Sequence, residues 1–180
     1  MSKTATGTAD VPSAPGLSGS TVADKTSAVP VKSCSLVLSA VLHRQLIAEA
    51  RAALPRECCG LIEGMRDGDT IEVLALHPTR NLAETADAFE IDPAEHIRLL
   101  RELRRTGHEI VGCYHSHPNG SAVPSPRDRR GAAEAGFVWV ICAEADLRAF
   151  VWDAADFVEI AVTESAAAPA SRVRSAATGR

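Results

Sequence analysis

Two histidines separated by a single residue constrain the fold of this chain more than any other feature of its sequence. His115 and His117 end an apolar run that begins at Ile110. In an extended strand, residues two apart project to the same face, so both imidazoles can face one point. The sequence therefore predicts a buried strand whose end presents two nitrogen ligands for a metal ion.

A carboxylate follows this strand after a Pro-, Gly- and Ser-rich loop over residues 118–124. Ser125 is a favourable helix N-cap, Pro126 suits the first helical position, and Asp128 lies in the first turn, where the helix dipole favours negative charge. Two imidazoles and one carboxylate suit catalytic zinc, which keeps a fourth position for water, and they also suit non-haem iron. We therefore predict that the two histidines and Asp128 bind one metal ion.

A hydrolytic zinc site needs a further carboxylate near the bound water, as a base toward the water and then an acid toward the leaving amine. Glu57 is the candidate for this role, because it follows Pro55 and opens an apolar run that is typical of a strand. A side chain at a strand end is held in place better than one on an exposed helix. We therefore predict that Glu57 is a catalytic acid and base.

The composition predicts one folded domain between two tails. The chain has 180 residues, of which 46% are hydrophobic, and this is enough for one globular core. Residues 1–33 are rich in Ser, Thr, Ala, Pro and Gly and contain no aromatic residue, so we expect a disordered tail. Residues 166–180 repeat this composition with arginines added, which predicts a second disordered tail. The folded domain is expected at residues 34–165.

Hydrophobic periodicity predicts a mixed α/β fold for this domain. Three helices are expected, from Leu42 to Leu54, from Pro93 to Gly107, and after the Ser125 cap. Turn residues around Gly68 predict an antiparallel hairpin between the second and third strands. The fold class is therefore a largely antiparallel sheet flanked by about three helices. Seven strands are expected, at Ser35–Ala40, Cys58–Glu63, Thr70–His77, Ile110–His115, Phe137–Cys142, Leu147–Trp152 and Phe157–Val162.

Charge and cysteine content exclude several classes of protein. The net charge of -4 lacks the basic field expected of a nucleic-acid-binding protein. No segment has the ~18 consecutive apolar residues that would span a membrane. Five cysteines without a C-x-x-C pair do not form a disulfide framework, which favours a reducing, cytoplasmic location. Cys59 and Cys113 share strand faces with Glu57 and His115, and we interpret both thiols as core residues.

The full pattern is Glu57, then His115-Ser116-His117-Pro118, six residues, Ser125, two residues and Asp128. It resembles the motif of the JAMM (MPN-plus) metalloproteases, and the resemblance spans about residues 35–152. The wider context is also similar to bacterial single-domain members of that family, at Glu57-Cys58-Cys59-Gly60-Leu61-Ile62, Asn81 and Phe89-Glu90-Ile91-Asp92-Pro93.

This resemblance implies a cytidine-deaminase-like fold for residues 34–165 and a zinc-dependent peptidase activity. It implies that zinc binds to His115, His117 and Asp128, that Glu57 is the general acid and base, and that Ser125 helps to stabilise the oxyanion. It also implies a substrate class, amide or isopeptide bonds beyond the Gly-Gly tail of ubiquitin-like proteins. Bacterial members that resemble this chain act on small ubiquitin-like sulfur carriers, from which they remove cysteine or a short C-terminal extension.

Two other functions compete with this one. Some members of the family with degraded motifs are non-catalytic scaffolds, and the intact motif of this chain disfavours that role. Other proteins of the same fold family are associated with DNA repair. Because no basic run supports DNA binding here, we expect a protein substrate and no nucleic-acid partner.

Overall fold

The computed structural model describes residues 34–165, so both predicted tails, 1–33 and 166–180, lie outside the described residues. Every predicted helix and strand is present within this range, and the mixed α/β content is confirmed. The elements are, in chain order, β1 (Ser35–Ser39), α1 (Ala40–Ala53), β2 (Cys59–Asp67), β3 (Thr70–Thr79), α2 (Pro93–Leu103), β4 (Glu109–Ser116), α3 (Pro126–Gly131), β5 (Val138–Ala143), β6 (Asp146–Trp152) and β7 (Phe157–Ser165).

The described strands form a closed barrel in the order β1-β3-β2-β4-β5-β6-β7. The predicted hairpin is present, since β2 and β3 pair in antiparallel fashion. A sheet flanked by helices was expected, and this expectation did not include closure into a barrel. The barrel closes through β1, which pairs in parallel with β3 on one side and with β7 on the other. Closure leaves no free sheet edge, and the hydrophobic pattern of single strands does not reveal which strands meet.

Helix α1 forms because its start and its apolar face are both well defined. The Ser39 hydroxyl accepts a hydrogen bond from Leu42 N at 3.3 Å, which caps the helix. Leu42, Leu46 and Ala50 follow at intervals of four and are all buried. The helix thereby buries one apolar stripe in the largest core cluster. None of the helices in the described range is long and apolar enough to cross a membrane.

Alternation along the central strands covers both faces of the sheet. Ile62 and Tyr114 belong to the cluster that contains the α1 stripe. Their chain neighbours Leu61 and Cys113 belong to two other clusters, because successive strand residues point to opposite faces. Leu99 of α2 packs against Leu61. The strands that lead to the predicted site are therefore buried on both sides.

The pairing of β2 with β4 brings distant parts of the chain to one end of the barrel. The two strands are antiparallel, with Cys59 opposite His115. Beyond the ladder, Ser116 N donates to Cys58 O at 3.1 Å, and Cys58 N donates to Ser116 Oγ at 2.9 Å. Glu57 precedes β2, so this register places it beside the end of β4.

Gly112 allows β4 and β5 to approach each other closely. For this reason we expect Gly112→Ala to destabilise the protein by about 3 kcal/mol. A Cβ at this position would lie 2.2 Å from the Val138 carbonyl oxygen, which belongs to the backbone and cannot swing away. Gly131→Ala is the matched control, because its added Cβ would meet nothing closer than Trp139 Cη2 at 3.8 Å. Denaturant unfolding of both variants measures the difference, and equal stabilities would contradict the expectation.

Candidate metal centre

The imidazoles of His115 and His117 face each other at the end of β4. Their Nε2 atoms are 3.0 Å apart, and both side chains are buried. His117 Nδ1 donates to the Ser121 carbonyl oxygen at 2.7 Å. That hydrogen bond holds the proton on Nδ1 and leaves the Nε2 lone pair available, as in histidines that bind a metal. His115 Nδ1 has no hydrogen-bond partner among the described residues.

The Asp128 carboxylate contacts both imidazoles. Its Oδ1 lies 3.4 Å from His115 Nε2, and its Oδ2 lies 3.4 Å from His117 Nε2. Burial opposes ionisation of Asp128, but the contacts with both imidazoles outweigh it and hold its pKa well below the usual range. Burial lowers the pKa of His115, so this imidazole is neutral, the form that binds metals.

These three side chains fit a divalent metal ion. Ligand atoms at 2.0–2.1 Å from a tetrahedral metal lie about 3.3 Å from one another. The observed separations are 3.0 Å between the two nitrogens and 3.4 Å from each nitrogen to the carboxylate. Two imidazole nitrogens and one ionised carboxylate therefore lie together. Burial lowers the pKa of His117, but the hydrogen bond with Asp128 outweighs it and raises that pKa. The residues predicted as ligands are brought together, and they could hold a metal without a large rearrangement.

Glu57 is the fourth group at this point. Its carboxylate and the ligand atoms of His115 and His117 all lie within 4.8 Å of one another. By this geometry, the three side chains that could hold a metal ion are Glu57, His115 and His117. Asp128 lies beside them, with a different carboxylate oxygen 3.4 Å from each of the two nitrogens. The backbone of Glu57 is clamped, since its N donates to Ala86 O at 3.1 Å and its carbonyl accepts from Asn81 Nδ2 at 3.0 Å.

The environment of Glu57 favours exchange of its proton near neutral pH. Its side chain is only 6% exposed, and this burial raises its pKa to about 7. The neighbouring charge of His117 lowers the pKa, and that of Asp128 raises it. A carboxyl group with a pKa near 7 can both accept and donate a proton at that pH.

In the metal-free protein, we expect Glu57→Gln to raise stability at pH 8 by on the order of 2 kcal/mol and to leave it unchanged at pH 4. The folded pKa of Glu57 lies above its ordinary value near 4.5. The folded state therefore holds more protons than the unfolded state between these values, so stability falls as the pH rises through this window. Glutamine cannot ionise and does not incur that loss.

Denaturant unfolding of metal-free wild type and variant at both pH values measures this effect. Glu84→Gln, at an exposed glutamate in the neighbouring loop, is the matched control and should show no such difference. A gain of equal size at pH 4 and pH 8 would show that the effect is not ionisation of Glu57.

Ser125 links the helix start to the site. Its Oγ accepts from Arg127 N and Asp128 N, both at 3.2 Å, and its own N donates to Asp128 Oδ2 at 2.6 Å. This capping box holds the Asp128 carboxylate in place, and it is formed by residues three apart. Ser125 also lines the open cleft beside the site, so its hydroxyl is available to a bound substrate.

Two contacts were missed by the sequence analysis. The ring of Phe89 stacks on His115, with centroids 4.3 Å apart and planes 21° from parallel. Trp139 meets the same imidazole edge-on at 5.9 Å. Phe89 lies in a loop without periodicity, and its signal in the sequence was the family-like context at residues 89–93, which did not reveal its contact with His115. Cys59 and Cys113 are buried as expected, and burial raises the pKa of both thiols.

An open cleft of about 760 Å³ runs past the site. Glu57 and His117 form part of its wall, and α3 forms another part. A cleft of this size admits an extended peptide segment, and it exposes the groups that would act on one. Its other lining residues are Pro55, Ala86, Asp87, Pro118, Asn119, Ser121, Val123, Pro124, Ser125, Pro126, Arg127 and Arg130.

Known proteins resemble this chain in sequence and in fold. The desampylase of Haloferax volcanii is 36% identical over 136 residues, which cover 72% of this chain and 96% of that protein. The CysO-cysteine peptidase of Mycobacterium tuberculosis is 29% identical over 129 residues, which cover 72% and 87%. A protein of Desulfitobacterium hafniense, solved in solution, has a TM-score of 0.66 at 30% identity and covers 72% of this chain and 92% of its own.

The family described as prokaryotic homologs of the JAB domain matches residues 39–154. This range contains all five predicted site residues, from Glu57 to Asp128, and the resemblance to the JAMM metalloproteases is confirmed. The chain belongs to the prokaryotic homologs of the JAB domain.

Proposed function

We propose that this protein is a zinc-dependent hydrolase that cleaves a peptide, isopeptide or related amide bond at the C-terminal Gly-Gly tail of a ubiquitin-like sulfur carrier. The bond cleaved would release cysteine or a short extension. One observation carries the proposal: three metal-binding side chains and a carboxyl group with a raised pKa meet beside an open cleft. The two relatives, a desampylase and a CysO-cysteine peptidase, support the substrate class by their names.

We assign the metal to His115, His117 and Asp128. Two nitrogen ligands, one oxygen ligand and room for a fourth group are typical of catalytic zinc, whereas structural zinc sites are usually closed and rich in cysteine. Non-haem iron uses the same ligand set, and the Glu57 carboxyl group beside the site is what favours a hydrolytic zinc. A bound zinc ion would polarise the scissile carbonyl and lower the pKa of water to about 7. The Nδ1–H of His117 on the Ser121 carbonyl orients that imidazole toward the ion.

Glu57 performs the proton transfers of the hydrolysis. Its carboxylate takes a proton from the attacking water as the water oxygen bonds to the carbonyl carbon. The carbon–nitrogen bond then breaks, and Glu57 returns the proton to the departing nitrogen, so the products are a carboxylic acid and an amine. A pKa near 7 suits both transfers.

Ser125 stabilises the negative charge that develops on the carbonyl oxygen. Its Oγ is anchored by two backbone N–H groups, so its own hydrogen is free to point into the cleft. A donor held in advance in this way does not have to reorganise during the reaction.

Incubation of the zinc-loaded protein with a carrier conjugate tests the proposal. We expect the mass of the carrier to fall by that of the leaving group, and no release after chelation of the metal. A carrier of unchanged mass would favour the alternative, a non-catalytic MPN-type scaffold. Such a scaffold has no need of a buried proton-exchanging carboxyl group beside two facing imidazoles.

The expected cytoplasmic location stays a prediction. All five cysteines lie within the described residues and are free thiols. Free thiols are typical of reducing compartments.

A further inference from the structure

Helix α3 carries three arginines, and they have different surroundings. Arg127 and Arg130 both line the cleft. They are three residues apart and so lie on one face of the helix. Arg129 lies on another face, where it forms an ion pair with Asp156. The helix therefore presents two of its three guanidinium groups to the space where a substrate would lie.

Neither cleft arginine is held in a direct salt bridge by another described residue. In the part of the chain that the structure describes, no ion pair involves Arg127 or Arg130, and Arg127 Nη1 donates only to the neutral Thr85 hydroxyl at 3.3 Å. Two acids, Asp87 and Glu57, line the same cleft, and the positive charge of Arg127 acts on both of them without a direct salt bridge. Both guanidinium groups keep donors that a further anion could occupy, and an arginine binds a carboxylate best through two parallel hydrogen bonds.

The position of Arg127 places it near the site where the leaving group would lie. Arg127 precedes Asp128 in the chain and lines the same cleft as Glu57. The nitrogen that leaves must receive its proton from Glu57 and therefore lies next to that carboxyl group. In an amino acid, the carboxylate carbon is only about 2.5 Å from the α-nitrogen. A leaving group with a free α-carboxylate would thus place its negative charge in the part of the cleft that α3 borders.

We propose that Arg127 and Arg130 bind the α-carboxylate of the leaving group, so that this enzyme releases a single C-terminal amino acid in preference to a lysine side chain. The inference rests on the proposed hydrolase function and specifies its leaving group. The reaction adds one water across the amide bond, and the released amino acid leaves with its amine protonated and its carboxylate intact. A lysine joined through its ε-nitrogen has no carboxylate near that nitrogen, so an isopeptide gains nothing from the two arginines.

Three peptides that share one carrier tail test this specificity with the zinc-loaded full chain. The first ends in Gly-Gly-Ala with a free carboxylate, the second ends in the same residues as a carboxamide, and the third joins Gly-Gly to a lysine ε-amine. We expect kcat/KM for the free acid to exceed that for the other two by about 30-fold, because a charged hydrogen-bonded pair is worth more than a neutral one.

Arg127→Gln and Arg130→Gln should each reduce this preference, and the double variant should reduce it to about twofold or less. Arg129→Gln is the matched control on the same helix and should keep the wild-type preference, because Arg129 does not line the cleft. All three arginines are exposed, so thermal melting should show that each variant folds like the wild type. Equal cleavage of acid and carboxamide, or a preference that persists in the double variant, would overturn the proposal.

Binding separates this inference from the hydrolase function. The affinities of the first two peptides are measured with zinc-loaded Glu57→Gln, which is expected to turn them over about 10³-fold more slowly than the wild type. We expect the free acid to bind more tightly than the carboxamide, and the difference to disappear when Arg127→Gln and Arg130→Gln are added. If no peptide is cleaved by the wild type but this difference is found, the proposed hydrolysis fails and the carboxylate site stands. If the two peptides bind equally, the carboxylate site fails.

Discussion

Glu57→Gln is expected to bind zinc as the wild type does and to lose about 10³-fold in turnover. Glutamine keeps the size and hydrogen-bonding capacity of the side chain but cannot take up a proton from water. The two Nε2 atoms are 3.0 Å apart, and each lies 3.4 Å from one oxygen of the Asp128 carboxylate, so under the proposed ligand assignment the metal does not depend on Glu57. Steady-state cleavage of a carrier conjugate and metal analysis of the same sample measure the two effects.

Whether the variant retains zinc decides if Glu57 is a metal ligand or a proton carrier. If Glu57→Gln loses zinc, then Glu57 is a ligand, which its distance of less than 4.8 Å from both histidines would allow. If the variant keeps both zinc and turnover, another group carries the proton. Glu84→Gln, in the exposed loop nearby, serves as the control and should keep both properties.

His115→Ala is expected to weaken zinc binding by well over 100-fold. Loss of a group that merely orients a ligand costs about 10–100-fold in metal affinity, and loss of a ligand costs more. His115 is fully buried and supplies one of the two facing Nε2 atoms, so its loss removes a proposed ligand from the centre of the site. Competition with a chromophoric chelator measures the affinity. His43→Ala is the control, since that histidine lies far along the chain on α1, and it should bind zinc normally.

The same loss should appear in thermal stability. Zinc at 1,000 times its Kd stabilises the wild type by about 4 kcal/mol, and this gain should be absent from the His115 variant. Asp128→Asn provides a second test if the loss of a buried imidazole impairs folding, because asparagine keeps the shape of the side chain while removing its charge. Wild-type zinc affinity in both variants would place the metal elsewhere.

Some of the residues around the proposed metal could be predicted from local sequence, and others could not. The ligand atoms of His115 and His117 lie two residues apart on one strand, and Asp128 belongs to a helix whose first turn is set by Ser125 and Pro126. These relations are local, and the alternation of strands and the capping of helices predict them. Glu57 was a candidate from its place at a strand start, but its proximity to the histidines was expected mainly from the family pattern. Its place depends on the pairing of Cys59 with His115, a contact between strands that are far apart in the chain.

The zinc ion, the roles of the site residues and the identity of the leaving group stay predictions. The stacking of Phe89 on His115 and the division of the α3 arginines between the cleft and Asp156 could not be inferred from the sequence. Each depends on which loop or strand lies opposite. A hydrophobic pattern states that a residue is buried, but it does not name the partner against which it is buried.

The sequence by itself determined the number, order and type of the ten elements, because turns, caps and periodicity act over a few residues. It also determined the pair of histidines and the carboxylate that follows them. Only the tertiary structure decided that the sheet closes through β1, that Glu57 meets the two histidines, and that a cleft lined by Arg127 and Arg130 passes the site. The reason is that these contacts join segments far apart in the chain, and strand register and packing select them from many pairings that the local pattern allows equally.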